Sequence, residues 1–89
     1  MDLQLTGKKA LISAGHKGLG SFIAKRLLEE GAMVAICCRK EDDLAAALEE
    51  YNTLGHAIGS ICDFSDSSAV KQWTEESGSQ FGGIDICIG

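Results

Sequence analysis

The residues of this sequence best suited to chemistry are the glycines at 15, 18 and 20, in Ser13-Ala14-Gly15-His16-Lys17-Gly18-Leu19-Gly20. They follow an apolar run, residues 9–14, and lead straight into an amphipathic segment. Glycine permits a tight turn and lets backbone come close to a phosphate, while the unpaired amides and the dipole at a helix start favour negative charge. A turn between a first strand and a first helix is where a dinucleotide pyrophosphate sits in an open α/β sheet. The spacing departs from GxGxxG, so on the loop alone a small-residue turn that only packs helix against strand stays open as an alternative.

Other reactive residue types are less convergent. Cys37 and Cys38 are adjacent, Cys62 and Cys87 are isolated, and no CxxC pair is present, which predicts free buried thiols rather than disulfides. His16 and His56 have no short ligand spacing to any cysteine, so no metal site is expected. Ser13 reads as a buried hydroxyl tying down the glycine loop. The acidic runs at residues 29–30, 41–43 and 49–50 read as solvated helix faces, the second also favouring a helix start.

These groups need a scaffold, and the chain alternates short apolar runs with amphipathic segments. Residues 9–14, beyond the opening Lys9, and residues 33–38 are continuously apolar or small, as expected for strands buried on both faces. Leu19, Ile23 and Leu27 mark a first helix, closed by Gly31 as a C-cap. Leu44, Leu48 and Tyr51 mark a second helix at i, i+4 and i+7. A weaker third strand spans residues 56–62, interrupted by Gly59 and Ser60. Ser65 is the expected N-cap of a third helix carrying Val70, Trp73 and Phe81, a stripe read as core. Gly82-Gly83 then turns the chain into a fourth strand over residues 84–88. The predicted fold class is α/β, a parallel sheet covered by helices in a βαβαβαβ pattern.

Composition limits the remaining classes. With 89 residues, 45% of them hydrophobic, the chain is one domain at most, burying roughly 60 to 65% of its unfolded surface. Thirteen acidic against eight basic residues give a net charge of −5, which argues against a nucleic-acid or anionic-membrane surface. No apolar stretch approaches the roughly 18 residues of a transmembrane helix. The expected location is the cytoplasm.

The stretch Leu5-Thr6-Gly7-Lys8-Lys9-Ala10-Leu11-Ile12 leading into Lys17-Gly18-Leu19-Gly20 resembles the opening of a short-chain dehydrogenase/reductase, the acyl-carrier-protein ketoreductase type being a common relative with such an opening. The resemblance continues through Cys38-Arg39-Lys40 after the second strand, Cys62-Asp63-Phe64-Ser65-Asp66 after the third, and Gly83-Ile84-Asp85-Ile86-Cys87-Ile88 at the fourth. Ala14 stands where the family usually has glycine, and Gly89 where an asparagine commonly begins the next motif.

The resemblance implies a Rossmann-type three-layer fold, with the sheet in the order 3-2-1-4, and a cofactor site. Backbone at Ala14, Gly18, Leu19 and Gly20 would face the pyrophosphate, with His16 and Lys17 lining the same loop and Lys17 near the adenosine 2′-phosphate. Arg39 would meet that phosphate too, Asp63 would accept from the adenine amino group, and Phe64 would pack beside the ring. Read without the family, His16 is an exposed turn residue, Arg39 and Lys40 a solvated basic pair, and Asp63 a helix-entry cap. NAD-binding folds commonly place an acid about 20 residues beyond the glycine turn, at the end of the second strand. Cys38 holds that place here and Arg39 follows it, so NADP is the expected cofactor.

The expectation for the whole protein is an NADP-dependent oxidoreductase, moving a hydride between the nicotinamide and a small-molecule carbonyl or alcohol and assembling as a homo-oligomer. Residues 1–89 would be a partial NAD(P)-binding Rossmann domain, truncated after the fourth strand. The family's catalytic asparagine, serine, tyrosine and lysine would lie downstream, so no catalytic residue is assigned here and the chain alone is expected to be inactive. A non-catalytic dinucleotide-binding or interaction module is the alternative. A methyltransferase-like nucleoside binder is a third reading, and it would want an acid where Arg39 stands.

Overall fold

Runs apolar on every residue form strands when both faces of a sheet are covered, and that is their fate here. A computed structural model describes residues 5–13, 18–63 and 65–88. Its elements are β1 (Lys9–Ser13), α1 (Gly18–Glu29), β2 (Met33–Cys38), α2 (Glu41–Tyr51), β3 (Ala57–Ile61), α3 (Ser67–Phe81) and β4 (Ile86–Ile88). The strands pair in parallel in the order β3-β2-β1-β4. The predicted Rossmann-type α/β arrangement and its 3-2-1-4 order are therefore the observed ones.

The period of two along each strand divides the core into two layers. Ile12, Val34 and Ile36 point to one face, against Ala24 and Leu28 of α1 and Ala47 and Tyr51 of α2. Leu11, Ala35 and Cys37 point to the other, where Trp73 and Phe81 of α3 cover them together with Cys62. Val70 packs at the margin of that second layer. The expected core stripe of α3 is thus the observed one.

Local chemistry sets the element ends. The acids Glu41, Asp42 and Asp43 occupy the first turn of α2, where the helix dipole favours them. Gly82 ends α3 in the left-handed conformation at φ 76°, which a glycine adopts without steric cost, and the chain turns there toward β4. On the outer side of β3, the Asn52 side chain mimics a neighbouring strand. Its amide donates to the Ala57 carbonyl at 3.1 Å and its Oδ1 accepts from the Ala57 N–H at 3.1 Å. The start of an otherwise open sheet edge is satisfied in this way.

Four expectations change in detail. The cap of α3 is Asp66, whose side chain accepts from the N–H groups of Ser68 and Ala69. Ser65 instead donates to Asp63 from both its N–H and its hydroxyl. The fourth strand is limited to Ile86–Ile88, because Asp85 pairs with the start of β1: its N–H donates to the Lys9 carbonyl at 2.8 Å and its Oδ2 accepts from the Lys9 N–H at 3.0 Å. Cys37, Cys38 and Cys62 are buried, but Cys87 is exposed on β4, an edge strand of the described sheet. Ser13 is half-buried, and its hydroxyl donates to the Ile88 carbonyl at 3.4 Å, tying β1 to β4.

Candidate functional site

Register brings the carboxyl ends of the strands into line. Ser13 lies opposite Cys37, Ile12 opposite Ile88, and Cys38 opposite Ile61. From β1 the chain winds outward through β2 to β3 and then returns to place β4 on the other side of β1. Such a reversal opens a crevice at the carboxyl edge, the usual ligand position in an open α/β sheet.

The amino end of α1 opens at this edge. Gly18 has φ +62°, and among the described residues a Cβ built on it would meet no atom within 4 Å beyond its chain neighbours and its own helix. Leu19 is 73% exposed. No acidic side chain occupies this turn, so no carboxylate on it offsets the positive end of the helix dipole. The backbone of Gly18, Leu19 and Gly20 is therefore able to receive an anion from solvent. Of the other residues expected in the loop, Ala14, His16 and Lys17 lie outside the described residues, as does Phe64.

Along the same edge, Cys38 ends β2 as a buried residue whose thiol donates to the Lys40 carbonyl at 3.3 Å. Burial pushes this thiol above its ordinary pKa, and the Asp43 carboxylate adds to that effect. At neutral pH it is a protonated, neutral group where an acid-bearing relative would carry negative charge. Arg39 follows it in an exposed bend. Lys40 is exposed at the N-cap of α2 and makes no side-chain capping bond.

Asp63 stands just beyond β3. Its Oδ1 accepts from the Ser65 N–H at 2.9 Å and from the Ser65 hydroxyl at 2.8 Å. These bonds, and after them the nearby positive charge of Arg39, hold the carboxyl below the usual aspartate range. The group is consequently an ionised acceptor at neutral pH. Both bonds fall on Oδ1, so among the described residues Oδ2 is open to a further donor. Arg39 and Asp63 follow the ends of adjacent strands, Cys38 of β2 lying opposite Ile61 of β3.

An anion-receptive helix start, a guanidinium and a carboxylate thus share one edge of the sheet, and a phosphorylated nucleoside has matching groups. Phosphate oxygens accept from amides and guanidinium, and an adenine amino group donates to a carboxylate. Sequence reading did not find the Ser21–Tyr51 contact behind this edge. The Tyr51 hydroxyl, on a fully buried side chain, donates to Ser21 Oγ at 2.8 Å. Tyr51 was legible only as one member of an apolar stripe, because its partner lies thirty residues away.

Among the described residues, no helix is long and apolar enough to cross a membrane, and no group of three or more His, Cys, Asp or Glu is placed to hold a metal.

Comparison with known proteins agrees with this arrangement. The chain is 34% identical over 86 residues to a tropinone reductase homolog of Arabidopsis thaliana, covering 94% of the chain and 33% of that protein. It is 36% identical over 87 residues to a glucose 1-dehydrogenase of Gluconobacter oxydans, covering 96% and 33%. It therefore spans about a third of the length of these curated relatives. L-Sorbose reductase from Gluconobacter frateurii, solved in complex with NADPH and L-sorbose, superimposes with a TM-score of 0.91 at 29% identity, over 98% of this chain and 34% of that one. The sequence pattern of the short chain dehydrogenases matches residues 8–89. With that match spanning nearly the whole chain and the sheet order in agreement, the chain belongs to the short chain dehydrogenase family.

Proposed function

We propose that these 89 residues form the NADP(H)-binding half of an oxidoreductase that acts on a small-molecule carbonyl or alcohol. The observation that carries this reading is the shared edge of the Gly18–Gly20 backbone, Arg39 and Asp63. When bound, the nicotinamide supplies or accepts the hydride. The residues of this chain bind and orient. Amides of Gly18, Leu19 and Gly20 hold the pyrophosphate, Arg39 the 2′-phosphate, and Asp63 the adenine amino group. Ala14, His16 and Lys17 in the loop and Phe64 beside the adenine complete the proposed site.

No group described at this edge is placed to exchange a substrate proton, so none is assigned a catalytic role. In a protein of the relatives' length, that exchange would fall to residues outside these 89, as in the family's serine, tyrosine and lysine arrangement. The reading carries with it a homo-oligomeric assembly and a cytoplasmic location. A non-catalytic dinucleotide-binding module would share the same edge without the proton chemistry.

The test is turnover. A polypeptide of the relatives' length carrying this chain should oxidise NADPH in the presence of a panel of ketones and aldehydes, whereas residues 1–89 alone should give no rate above the buffer blank. Turnover by the 89 residues would contradict the division of labour. A longer polypeptide that binds NADPH but shows no turnover across the panel would favour the non-catalytic module.

A further inference from the structure

We infer that Tyr51 is a positioning residue for the pyrophosphate end of the site, acting through Ser21; the inference rests on the dinucleotide reading above. Among the described residues, little holds the first turn of α1 in place. Gly18 and Gly20 have no side chains, and Leu19 is 73% exposed. The buried anchors of α1, Ala24 and Leu28, lie one and two turns further along. Ser21 ends the first turn, and its Oγ accepts from the Tyr51 hydroxyl at 2.8 Å.

Tyr51 is the largest fully buried side chain among the described residues and closes the layer formed with Ile12, Ala24, Leu28, Val34 and Ile36. Its ring cannot shift without repacking that layer, because protein interiors are close-packed. The hydroxyl therefore presents a fixed point to α1. One turn beyond Ser21, Lys25 Nζ lies 3.3 Å from Glu50 Oε1, so consecutive residues at the end of α2 contact both Ser21 and Lys25. The Lys25–Glu50 pair is substantially solvent-exposed and contributes little on its own. The half-buried hydroxyl pair is the stronger constraint on where the first-turn amides stand. Serine is also a poorer helix former than alanine, and its contact with Tyr51 gives it a purpose here.

Tyr51→Phe removes the hydroxyl and keeps the packing of the ring, and Ser21→Ala removes the other half of the contact. In the full polypeptide, each substitution should raise the Kd of NADP about fivefold, the scale of one hydrogen bond. Each should leave the Kd of 2′-AMP unchanged, because that ligand reaches the Arg39 and Asp63 end but has no pyrophosphate. The double variant should be no weaker than either single one, as residues acting through one contact are not additive. Equal weakening of both ligands would show a general structural role and overturn the inference, as would an NADP affinity that neither substitution changes. If the wild-type protein binds neither ligand, the dinucleotide reading fails and this inference with it. If the wild type binds both ligands and the variants match it, only this inference fails.

Discussion

NADPH is expected to bind the full polypeptide about tenfold to a hundredfold more tightly than NADH, and Arg39→Ala is expected to remove most of that difference. The two cofactors differ by the phosphate on the adenosine 2′ position, so the preference must arise where that phosphate would lie. At the end of β2 the structure has a neutral, buried Cys38 thiol followed by the exposed Arg39 guanidinium. A carboxylate in place of Cys38 would repel the phosphate, whereas a guanidinium can hold it through two parallel charge-assisted hydrogen bonds. A hydrogen bond to a charged group contributes about 1.5–3 kcal/mol, and exposure of Arg39 to solvent draws the expected preference toward the lower end. Lys17, in the glycine loop, is the proposed second contributor. Titration of both cofactors against wild type and Arg39→Ala is the check. Equal affinities in the wild type, or a preference that survives the substitution, would mark Arg39 as a solvated surface charge.

Trp73→Ala should be the most damaging single substitution on the α3 side, costing about 3–5 kcal/mol. Trp73 is 5% exposed and shares a core layer with Leu11, Ala35, Cys37, Cys62 and Phe81, so with Phe81 it covers the α3 side of β1 and β2. A small domain has a thin core and a total stability of only about 5–15 kcal/mol, so this loss is a large share of it. Lys71→Ala, two residues away on the exposed side of α3, should stay within about 0.5 kcal/mol of wild type. Urea denaturation of both variants tests the contrast. A Trp73→Ala midpoint close to that of Lys71→Ala would mean that α3 does not cover the sheet as described.

Strand and helix placement were legible because parallel strands buried on both faces leave continuous apolar runs, as at residues 33–38, whereas the sheet order was implied by the family resemblance. The third strand looked weaker for a reason the structure supplies. A Cβ on Gly59 would come within 2.6 Å of Leu44 Cδ1 and 3.2 Å of the Ile36 carbonyl. That glycine lets α2 settle closely on β3, and what reads as poor strand propensity is a packing requirement. The cap of α3 was misplaced by one residue because Ser65 and Asp66 are both good caps, and the choice depends on Asp63 having already engaged Ser65. Such competition is local, yet composition does not reveal its outcome. At the site, Gly18 and Arg39 could be named from their places after strands. The placing of Arg39 and Asp63 at adjacent strand ends and the contact of Tyr51 with Ser21 depend on how separate elements pack, which no spacing in the sequence encodes.

The most direct test of the site is amide hydrogen exchange of the full polypeptide with and without saturating NADPH. Carboxyl-edge binding predicts slowed exchange in the first turn of α1 at residues 18–21, around Arg39 and Lys40, and around Asp63 and Ser65. It predicts no change at the opposite edge of the sheet, in the turn at residues 52–56 and the approach to β4 at residues 82–85. Protection confined to that opposite edge, or exchange unaltered by NADPH throughout residues 18–65, would contradict the account.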